Sequence, residues 1–308
     1  MTSLLAAVLT PFLASGQIDL PQYYEHCHYL LTEQRIDKVV LFGTTGEGLQ
    51  CTVEERKNAH HYLIDKGIAG DQLIINISAK TYDETLSLTK NALKNHTYEV
   101  LSMPPASDDE KIIINYYQKL IKEANNPQLK IYLYHYPEQG ASISPETIYK
   151  LKKEFPHHIV GIKNSGQYAD TKRFLALREK IMSEQGDAFF DVYVGNEVDM
   201  PEALRNGGKG GISGLANVAA DFLFVYVKNP EINRDKLAAF ISDLKQISPT
   251  IIPALKTIKA YQTGNVSWKI TKNPHLTPPL SKDEEIILIN KFEQLIKEEQ
   301  LRHQRLVH

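Results

Sequence analysis

The chain has 308 residues, 42% hydrophobic and 23% charged, with a formal net charge of -2. This length allows either one α/β barrel with extra helices or two ordinary domains, and the composition is that of a globular protein with a substantial core. The nearly balanced charge gives no electrostatic basis for binding nucleic acid or an anionic membrane, so we expect neither as a partner.

The cysteines and the N-terminus indicate a cytoplasmic protein. Cys27 and Cys51 are too few for a disulfide framework, which favours a reducing compartment. The apolar run over residues 4–9 has no basic residue before it and ends at Pro11, so it predicts a first strand rather than a signal peptide. No later apolar run approaches the roughly 20 residues that a membrane-spanning helix needs.

Strand and helix patterns then alternate along the chain. Further strands are predicted at 37–42, 72–77, 99–102, 130–134, 159–163, 190–194 and 210–213. Helices are predicted after the N-cap candidates Asp19, Thr52 and Ser144, over 82–93 and 108–124, and from about residue 170. About eight strand–helix units without a linker predict a (β/α)₈ TIM barrel over residues 1–220. An open doubly wound sheet would carry a Gly-x-Gly-x-x-Gly turn after its first strand, and none is present there.

From residue 221 to residue 308 the pattern is helical. The segment is too small for a second domain, so we expect a C-terminal helical extension that packs on the barrel as part of one structural unit. Its last helix should open at the capping box Ser281–Glu284 and run to about Arg305.

Lys163 ends the sixth predicted strand. The preceding residues are apolar on both faces of the alternation, as in a strand covered on both sides. In a regular strand Ile159, Gly161 and Lys163 share one face, so Gly161 would leave space for a small molecule beside the amine. A buried lysine that loses its proton is a nucleophile that can form a Schiff base with a carbonyl compound. The alternative is a lysine that reaches solvent at a strand end and caps it.

Two further candidates follow strands, where active sites of such barrels lie. After the second strand, Gly43, Thr44 and Thr45 offer N–H groups and two hydroxyls that suit a carboxylate; the alternative is an ordinary glycine turn. Tyr134 ends the strand next to that of Lys163 and should point inward, whereas His135 should point outward. A phenol beside a Schiff base can transfer protons, although a core tyrosine with a satisfied hydroxyl is the alternative.

The histidines do not predict a metal site. The clusters 26–28, 60–61 and 157–158 contain histidines that are adjacent or two apart, and such spacings do not converge on one face of a helix. We therefore expect solvated surface histidines and no metal. No Ser-His-Asp arrangement is visible either, although distance along the chain does not exclude one.

Together these residues resemble the dihydrodipicolinate synthase / N-acetylneuraminate lyase family of class I, pyruvate-dependent aldolases. The matching segments are Val-Leu-Thr-Pro-Phe at 8–12, Gly-Thr-Thr-Gly-Glu at 43–47, Tyr-His-Tyr-Pro at 134–137, Gly-Ile-Lys at 161–163 and the glycine-rich stretch 207–218. The resemblance implies a (β/α)₈ barrel with a helical extension, assembled as a homotetramer or dimer, without a metal or organic cofactor. It implies that Lys163 forms the Schiff base, that Tyr134 donates protons, and that Thr44 and Thr45 hold the pyruvate carboxylate. The backbone around Ile212 would line the same pocket.

Two departures from the family pattern bear on the substrate. Members that condense pyruvate with aspartate semialdehyde carry an arginine two residues after the Tyr-x-x-Pro motif, where this chain has Gln139. A neutral amide cannot make the bidentate contact of arginine with a carboxylate. Those members also carry a Pro-Tyr-Tyr turn after the fourth strand, whose tyrosine completes a proton relay in a neighbouring subunit; residues 103–107 here are Met-Pro-Pro-Ala-Ser.

The sequence therefore favours a Schiff-base aldolase or lyase acting on a 2-keto-3-deoxy sugar acid or a hydroxy-oxo acid. Two alternatives remain open. One is dihydrodipicolinate synthase proper, with another residue in place of the arginine. The other is a non-catalytic keto-acid-binding protein on the same scaffold.

Overall fold

Eight parallel strands close into a barrel in chain order, with the first strand paired to the last. The computed structural model describes residues 2–185, 189–231, 234–248 and 250–306. The strands are β1 (Ser3–Ala7), β2 (Lys38–Leu41), β3 (Leu73–Asn76), β4 (Glu99–Ser102), β5 (Lys130–His135), β6 (Ile159–Asn164), β7 (Asp191–Val194) and β8 (Gly210–Ser213). The predicted (β/α)₈ barrel is confirmed.

A helix follows every strand. These helices are α1 (Leu20–Thr32), α2 (Val53–Asp65), α3 (Tyr82–Lys94), α4 (Glu110–Ala124), α5 (Pro145–Glu154), α6 (Tyr168–Gln185), α7 (Met200–Arg205) and α8 (Ala216–Lys228). The C-terminal part adds α9 (Asp235–Ile247), α10 (Ile251–Thr263) and α11 (Lys282–Leu306). Residue 220, where we divided barrel from extension, lies inside α8, so the two parts share a helix.

Side chains at the helix N-termini explain where several helices begin. Asp19 accepts a hydrogen bond from the backbone N–H of Gln22 at 3.2 Å at the start of α1. Thr52 and Glu55 form the predicted reciprocal capping box of α2, and Ser144 caps α5. Before α11, the Ser281 N–H donates to the Glu284 carboxylate at 2.7 Å. These contacts satisfy N–H groups that a helix leaves without a partner.

The core has two layers, one inside the barrel and one between the strands and the helices. The inner cluster consists of Leu5, Ala7, Val40, Ile74, Leu101, Tyr132, Tyr134, Val160, Tyr193 and Ile212. The outer cluster includes apolar residues from the other face of β1 to β7 and from the surrounding helices. Because the inner cluster fills the barrel, a ligand can only enter at an end of it.

The register of β6 differs from our expectation. Ile131 pairs with Ile159 but the next residue, Tyr132, pairs with Gly161, so β6 contains one extra residue at this point. This bulge leaves Ile159 in the outer cluster and Val160 in the inner one, which reverses the faces we predicted for both residues. Past the bulge Ile162 lies outside and the alternation resumes.

None of the described helices is both long enough and apolar enough to cross a membrane.

Candidate active site

Lys163 lies near the C-terminal end of β6, between Tyr134 of β5 and Tyr193 of β7 in the strand register. Its side chain is 4% exposed, and its Nζ lies 4.6 Å from the centre of the Tyr134 ring. Burial of the amine excludes the alternative of a strand-end lysine that reaches solvent. The nitrogen lies beside a phenol, and a neutral amine in this position is a nucleophile toward a carbonyl carbon.

The Tyr134 hydroxyl connects the loops that follow two other strands. It lies 3.4 Å from the Thr44 Oγ1 of the loop after β2 and 3.4 Å from the Ser165 Oγ of the loop after β6. The ring stacks on Tyr136, with centroids 5.8 Å apart, and burial raises the pKa of the Tyr136 phenol. The predicted inward orientation of Tyr134 is therefore confirmed, and its hydroxyl has neighbours that can exchange protons with it.

The turn over residues 43–50 presents the predicted hydroxyls. Thr44 and Thr45 are both half-buried. A Cβ added to Gly214, which follows β8, would lie 3.1 Å from the Thr45 Oγ1, so Thr45 leans toward the end of that strand. A Cβ on Gly43 would meet no atom within 4 Å, which means that Gly43 faces open space. The turn thus offers two hydroxyls and an unobstructed backbone.

The backbone of this turn is tightly closed. The Gly48 N–H donates to the Gly43 carbonyl at 3.2 Å, and a Cβ on Gly48 would lie 1.9 Å from the Phe42 carbonyl oxygen. Phe42 and Glu47 both adopt left-handed φ angles, of 58° and 55°. Such angles are costly for residues with a side chain and persist only where the surroundings enforce them.

The structure adds a hydroxyl that the sequence interpretation missed, that of Ser165. It follows Lys163 by two residues and its Oγ approaches the Tyr134 hydroxyl. A Cβ on Gly195, at the end of β7, would lie 2.2 Å from the Ser165 Oγ and 3.1 Å from the Lys163 Cε. Only glycine at position 195 leaves room for both side chains. The spacing of Lys163 and Ser165, i and i+2 across a strand end, was the available signal.

Gly161 does not provide the space that we expected beside the amine. A Cβ at this position would lie 2.9 Å from the ring of Tyr132 and 2.4 Å from the carbonyl oxygen of Asp191. The absent side chain is therefore replaced by Tyr132, whose ring fills the barrel below Lys163. Open space is found at Gly43 instead.

The other predicted site residues lie at different depths. Ile212 on β8 is 1% exposed and belongs to the inner cluster. Gln139 ends a short 3₁₀ helix, Pro137–Gln139, and is exposed. A Cβ on the adjacent Gly140 would lie 3.9 Å from the Cβ of Ala106, so this loop neighbours the 103–107 turn. Gln139 therefore lies at the rim of the barrel and Ile212 lies in its interior.

Our expectation of solvated histidines is wrong for His26 and His60. Both are buried, at 3% and 1% exposure, and burial lowers their pKa to about 3 and about 4. His26 hydrogen-bonds the Asn217 side chain at 2.9 Å, and His60 hydrogen-bonds Thr97 at 2.9 Å. Within the described residues no cluster of His, Cys, Asp and Glu side chains has the arrangement of a metal site. These two histidines are core residues that stay neutral.

The arrangement supports chemistry on a small carbonyl compound. A buried amine, a phenol and the Thr44 hydroxyl converge from β6, β5 and the loop after β2. An amine supplies a nucleophile, the phenol can donate or accept a proton, and hydroxyls and N–H groups can hold a carboxylate.

Comparison with known proteins gives the chain's relationships. The model of the Dihydrodipicolinate synthetase family matches residues 1–285. A 4-hydroxy-tetrahydrodipicolinate synthase of Thermosipho melanesiensis is 29% identical over 259 residues, which is 82% of this chain and 81% of that protein. An N-acetylneuraminate lyase of Gallus gallus is 27% identical over 224 residues, 70% of each chain. The crystal structure of dihydrodipicolinate synthase from Agrobacterium tumefaciens superposes with a TM-score of 0.84 at 24% identity, covering 96% of this chain and 99% of that one.

Proposed function

The chain belongs to the dihydrodipicolinate synthetase family, and on that premise we propose that it is a Schiff-base-forming, pyruvate-dependent aldolase or lyase. It makes or cleaves a carbon–carbon bond of a 2-keto acid of the 2-keto-3-deoxy sugar acid or hydroxy-oxo acid type. The observation that carries the proposal is the burial of the Lys163 amine 4.6 Å from the centre of the Tyr134 ring.

In the proposed reaction the neutral Lys163 amine attacks the ketone carbon of pyruvate, and loss of water leaves a protonated imine. The imine withdraws electrons, so a proton leaves the neighbouring carbon and an enamine forms. The enamine carbon attacks an aldehyde in the synthetic direction; the reverse sequence cleaves the bond and releases the aldehyde. Hydrolysis of the imine returns the free amine.

The neighbouring groups take defined roles in this proposal. Tyr134 transfers protons to and from the imine region, and its 3.4 Å approach to the Thr44 hydroxyl gives that proton a route. Thr44 and Thr45 hold the keto-acid carboxylate against the backbone of Gly43. Ile212 forms an apolar wall. The residues themselves account for the chemistry, so the proposal includes no metal or organic cofactor.

The charges around the mouth of the barrel favour an uncharged aldehyde. The connections from each strand to the next helix all lie within the described residues. They contain one basic residue, Lys80, which is exposed, and Lys163 itself lies on β6. The exposed acidic residues of the same connections are Asp108, Asp109 and Glu138. With Gln139 neutral as well, the mouth offers little to hold a second carboxylate, whereas a hydroxyaldehyde needs only hydrogen bonds.

The decisive test is borohydride reduction in the presence of pyruvate, followed by peptide mapping. We expect a covalent adduct on Lys163 and none on Lys152, Lys256 or Lys259, which are also buried. Lys163→Met should abolish labelling and turnover, while Lys259→Met, a matched buried lysine outside the site, should retain both. Active protein with an unlabelled Lys163 would refute the mechanism.

The choice of acceptor requires a separate comparison. We expect release of pyruvate from 2-keto-3-deoxy sugar acids to be faster than condensation of pyruvate with aspartate semialdehyde. The opposite result would favour the synthase activity of the Thermosipho melanesiensis relative. Labelling of Lys163 without turnover across an aldehyde panel would indicate a keto-acid-binding protein.

We also propose that the chain forms a homo-oligomer, a tetramer or a dimer, and that it is cytoplasmic. Light scattering coupled to size-exclusion chromatography measures the first directly, and a monomer at micromolar concentration would contradict it.

A further inference from the structure

A buried ion pair joins the turn that carries Thr44 and Thr45 to the C-terminal helical extension. The Glu47 Oε1 lies 2.7 Å from the Nζ of Lys256, which is on α10, and both side chains are completely buried. The Lys256 ammonium also donates to the carbonyl oxygens of Thr10 at 2.9 Å and of Ile270 at 2.6 Å. The second carboxylate oxygen of Glu47 accepts from the backbone N–H of Lys272 at 2.8 Å.

Stability alone is a poor explanation for this pair. Two charges that are taken out of water lose their hydration, and a well-packed apolar pair of similar volume is often as stable or more stable. An apolar pair could not orient the surrounding polar groups, because it makes no directional hydrogen bonds. The Lys256 ammonium ties together three separate segments, the loop after β1, the turn after β2 and the stretch before α11, through its contacts with Thr10, Glu47 and Ile270.

The constraint reaches the predicted carboxylate-binding hydroxyl through the backbone. Glu47 adopts a left-handed φ of 55°, and its N–H donates to the carbonyl of Thr44 at 3.0 Å. Next to it, the Gly46 carbonyl accepts from the Thr10 hydroxyl at 2.7 Å. Thr10 therefore contacts both the turn and Lys256. A rotation of Glu47 would move Thr44, whose hydroxyl lies 3.4 Å from that of Tyr134.

We propose that Glu47 and Lys256 are positioning residues, whose buried ion pair holds the turn so that Thr44 and Thr45 meet the carboxylate of the keto acid. The helical extension thereby controls keto-acid binding without contacting the substrate. This inference rests on the proposed function, since it assumes that Lys163 forms the imine.

The test measures labelling of Lys163 by pyruvate and borohydride at a series of pyruvate concentrations. Two quantities are obtained, the pyruvate concentration that gives half-maximal labelling and the labelling rate at saturation. In Glu47→Gln and Lys256→Met we expect the half-maximal pyruvate concentration to rise about ten-fold, because the turn no longer holds Thr44 and Thr45 in place for the carboxylate. The labelling rate at saturation should change less than about two-fold, because the Lys163 amine is unaltered. The double variant should show the same rise as the single variants rather than their product, because both changes remove one interaction.

Lys259→Met is the matched control. Lys259 lies on the same helix, one turn further on, and is 5% exposed, but its ammonium faces the rings of Tyr29 and Trp268 instead of the turn. We expect this variant to shift the melting temperature and to leave the half-maximal pyruvate concentration unchanged. A structural role for buried lysines in general would affect both lysine variants alike.

The outcomes are distinguishable. Folded Glu47→Gln with wild-type pyruvate dependence, or an equal rise in Lys259→Met, would overturn the positioning role. If Lys256→Met fails to fold because it leaves a buried carboxylate unpaired, the double variant with Glu47→Gln removes both charges and provides the same comparison. Absence of labelling in the wild-type protein would refute the proposed function, and the role of the pair with it.

Discussion

Gly195→Ala tests the geometry around Lys163 with the smallest possible change. The new Cβ would lie 2.2 Å from the Ser165 Oγ and 3.1 Å from the Lys163 Cε. Nonbonded contacts between carbon and its neighbours settle near 3.5 Å, so the Ser165 hydroxyl has to move by about 1 Å and the lysine side chain by a few tenths of an ångström. Overpacking of this kind costs about 1–3 kcal/mol of unfolding free energy.

The effect on reactivity should be larger than the effect on stability. A displacement of about 1 Å at a reacting group can lower the rate about 100-fold, because the attacking atom and its target no longer align. We therefore expect Gly195→Ala to fold, to melt a few degrees lower, and to lose about 100-fold in the rate of borohydride-trapped imine formation at Lys163. The assay is quantitative peptide mapping after timed reduction, with circular dichroism to follow unfolding.

A second substitution separates the two contacts. Ser165→Ala combined with Gly195→Ala removes the hydroxyl and leaves the 3.1 Å contact with Lys163 and a 3.3 Å contact with the Cβ of residue 165. We expect this double variant to recover at least about ten-fold in labelling rate relative to Gly195→Ala, since the shorter contact is gone. Wild-type labelling in Gly195→Ala would show that Lys163 reacts from another conformation, and would refute the role of the glycine.

Three further predictions address the proton donor and the buried groups outside the site. Tyr134→Phe should retain the Lys163 adduct but lose about 100- to 10,000-fold in turnover, measured as pyruvate release, because proton transfer is slowed and the amine remains. Lys152→Met should lower the free energy of urea unfolding by about 3 kcal/mol, at about 1 kcal/mol for each of three orphaned carbonyls, since the Lys152 ammonium donates to Pro156, Ile159 and Phe189. Burial lowers the pKa of His60 to about 4, so below pH 6.5 the unfolded chain takes up a proton that the folded chain does not. Stability is then lost as the pH falls, by about 2 kcal/mol per such histidine between pH 6.5 and 5. His60→Gln should reduce this pH dependence by the contribution of one histidine and leave that of His26, and an unchanged slope would contradict the prediction.

Regular periodicity made most of the fold predictable. The predicted strand at 99–102 coincides with β4, and the helix expected over 82–93 extends by one residue as α3. The bulge in β6 was not predictable, because Ile159 and Val160 are both apolar and either face of the strand would bury them. Only the neighbouring strand fixes which face each residue takes, and the pairing partner is distant in sequence.

The burial of His26 did have a signal in the sequence. Tyr23, His26, Cys27 and Leu30 are all buried on α1 and recur at the spacing of one helix face. The spacing between two histidines does not show whether either is buried, whereas the helix face on which each lies does. By contrast, the sequence carried no signal for the pairing of Glu47 with Lys256. The contact joins segments far apart in the chain and depends on how the helical extension packs on the barrel.

The two halves of the proposed site differ in how far sequence alone can define them, for a physical reason. Lys163, Tyr134 and Ile212 are on strands, and the closed barrel leaves each such residue one place and one direction. The identity of a residue at such a position therefore predicts where its side chain lies. For this reason the part of the proposed site that would bind the keto acid could be predicted from a few short segments. Gln139 and the 103–107 turn lie in exposed loops, whose conformation depends on contacts with each other and on any neighbouring subunit. Under the proposed function, selection of the aldehyde falls to these loops, so we expect substitutions there to change the acceptor and to leave imine formation at Lys163 intact.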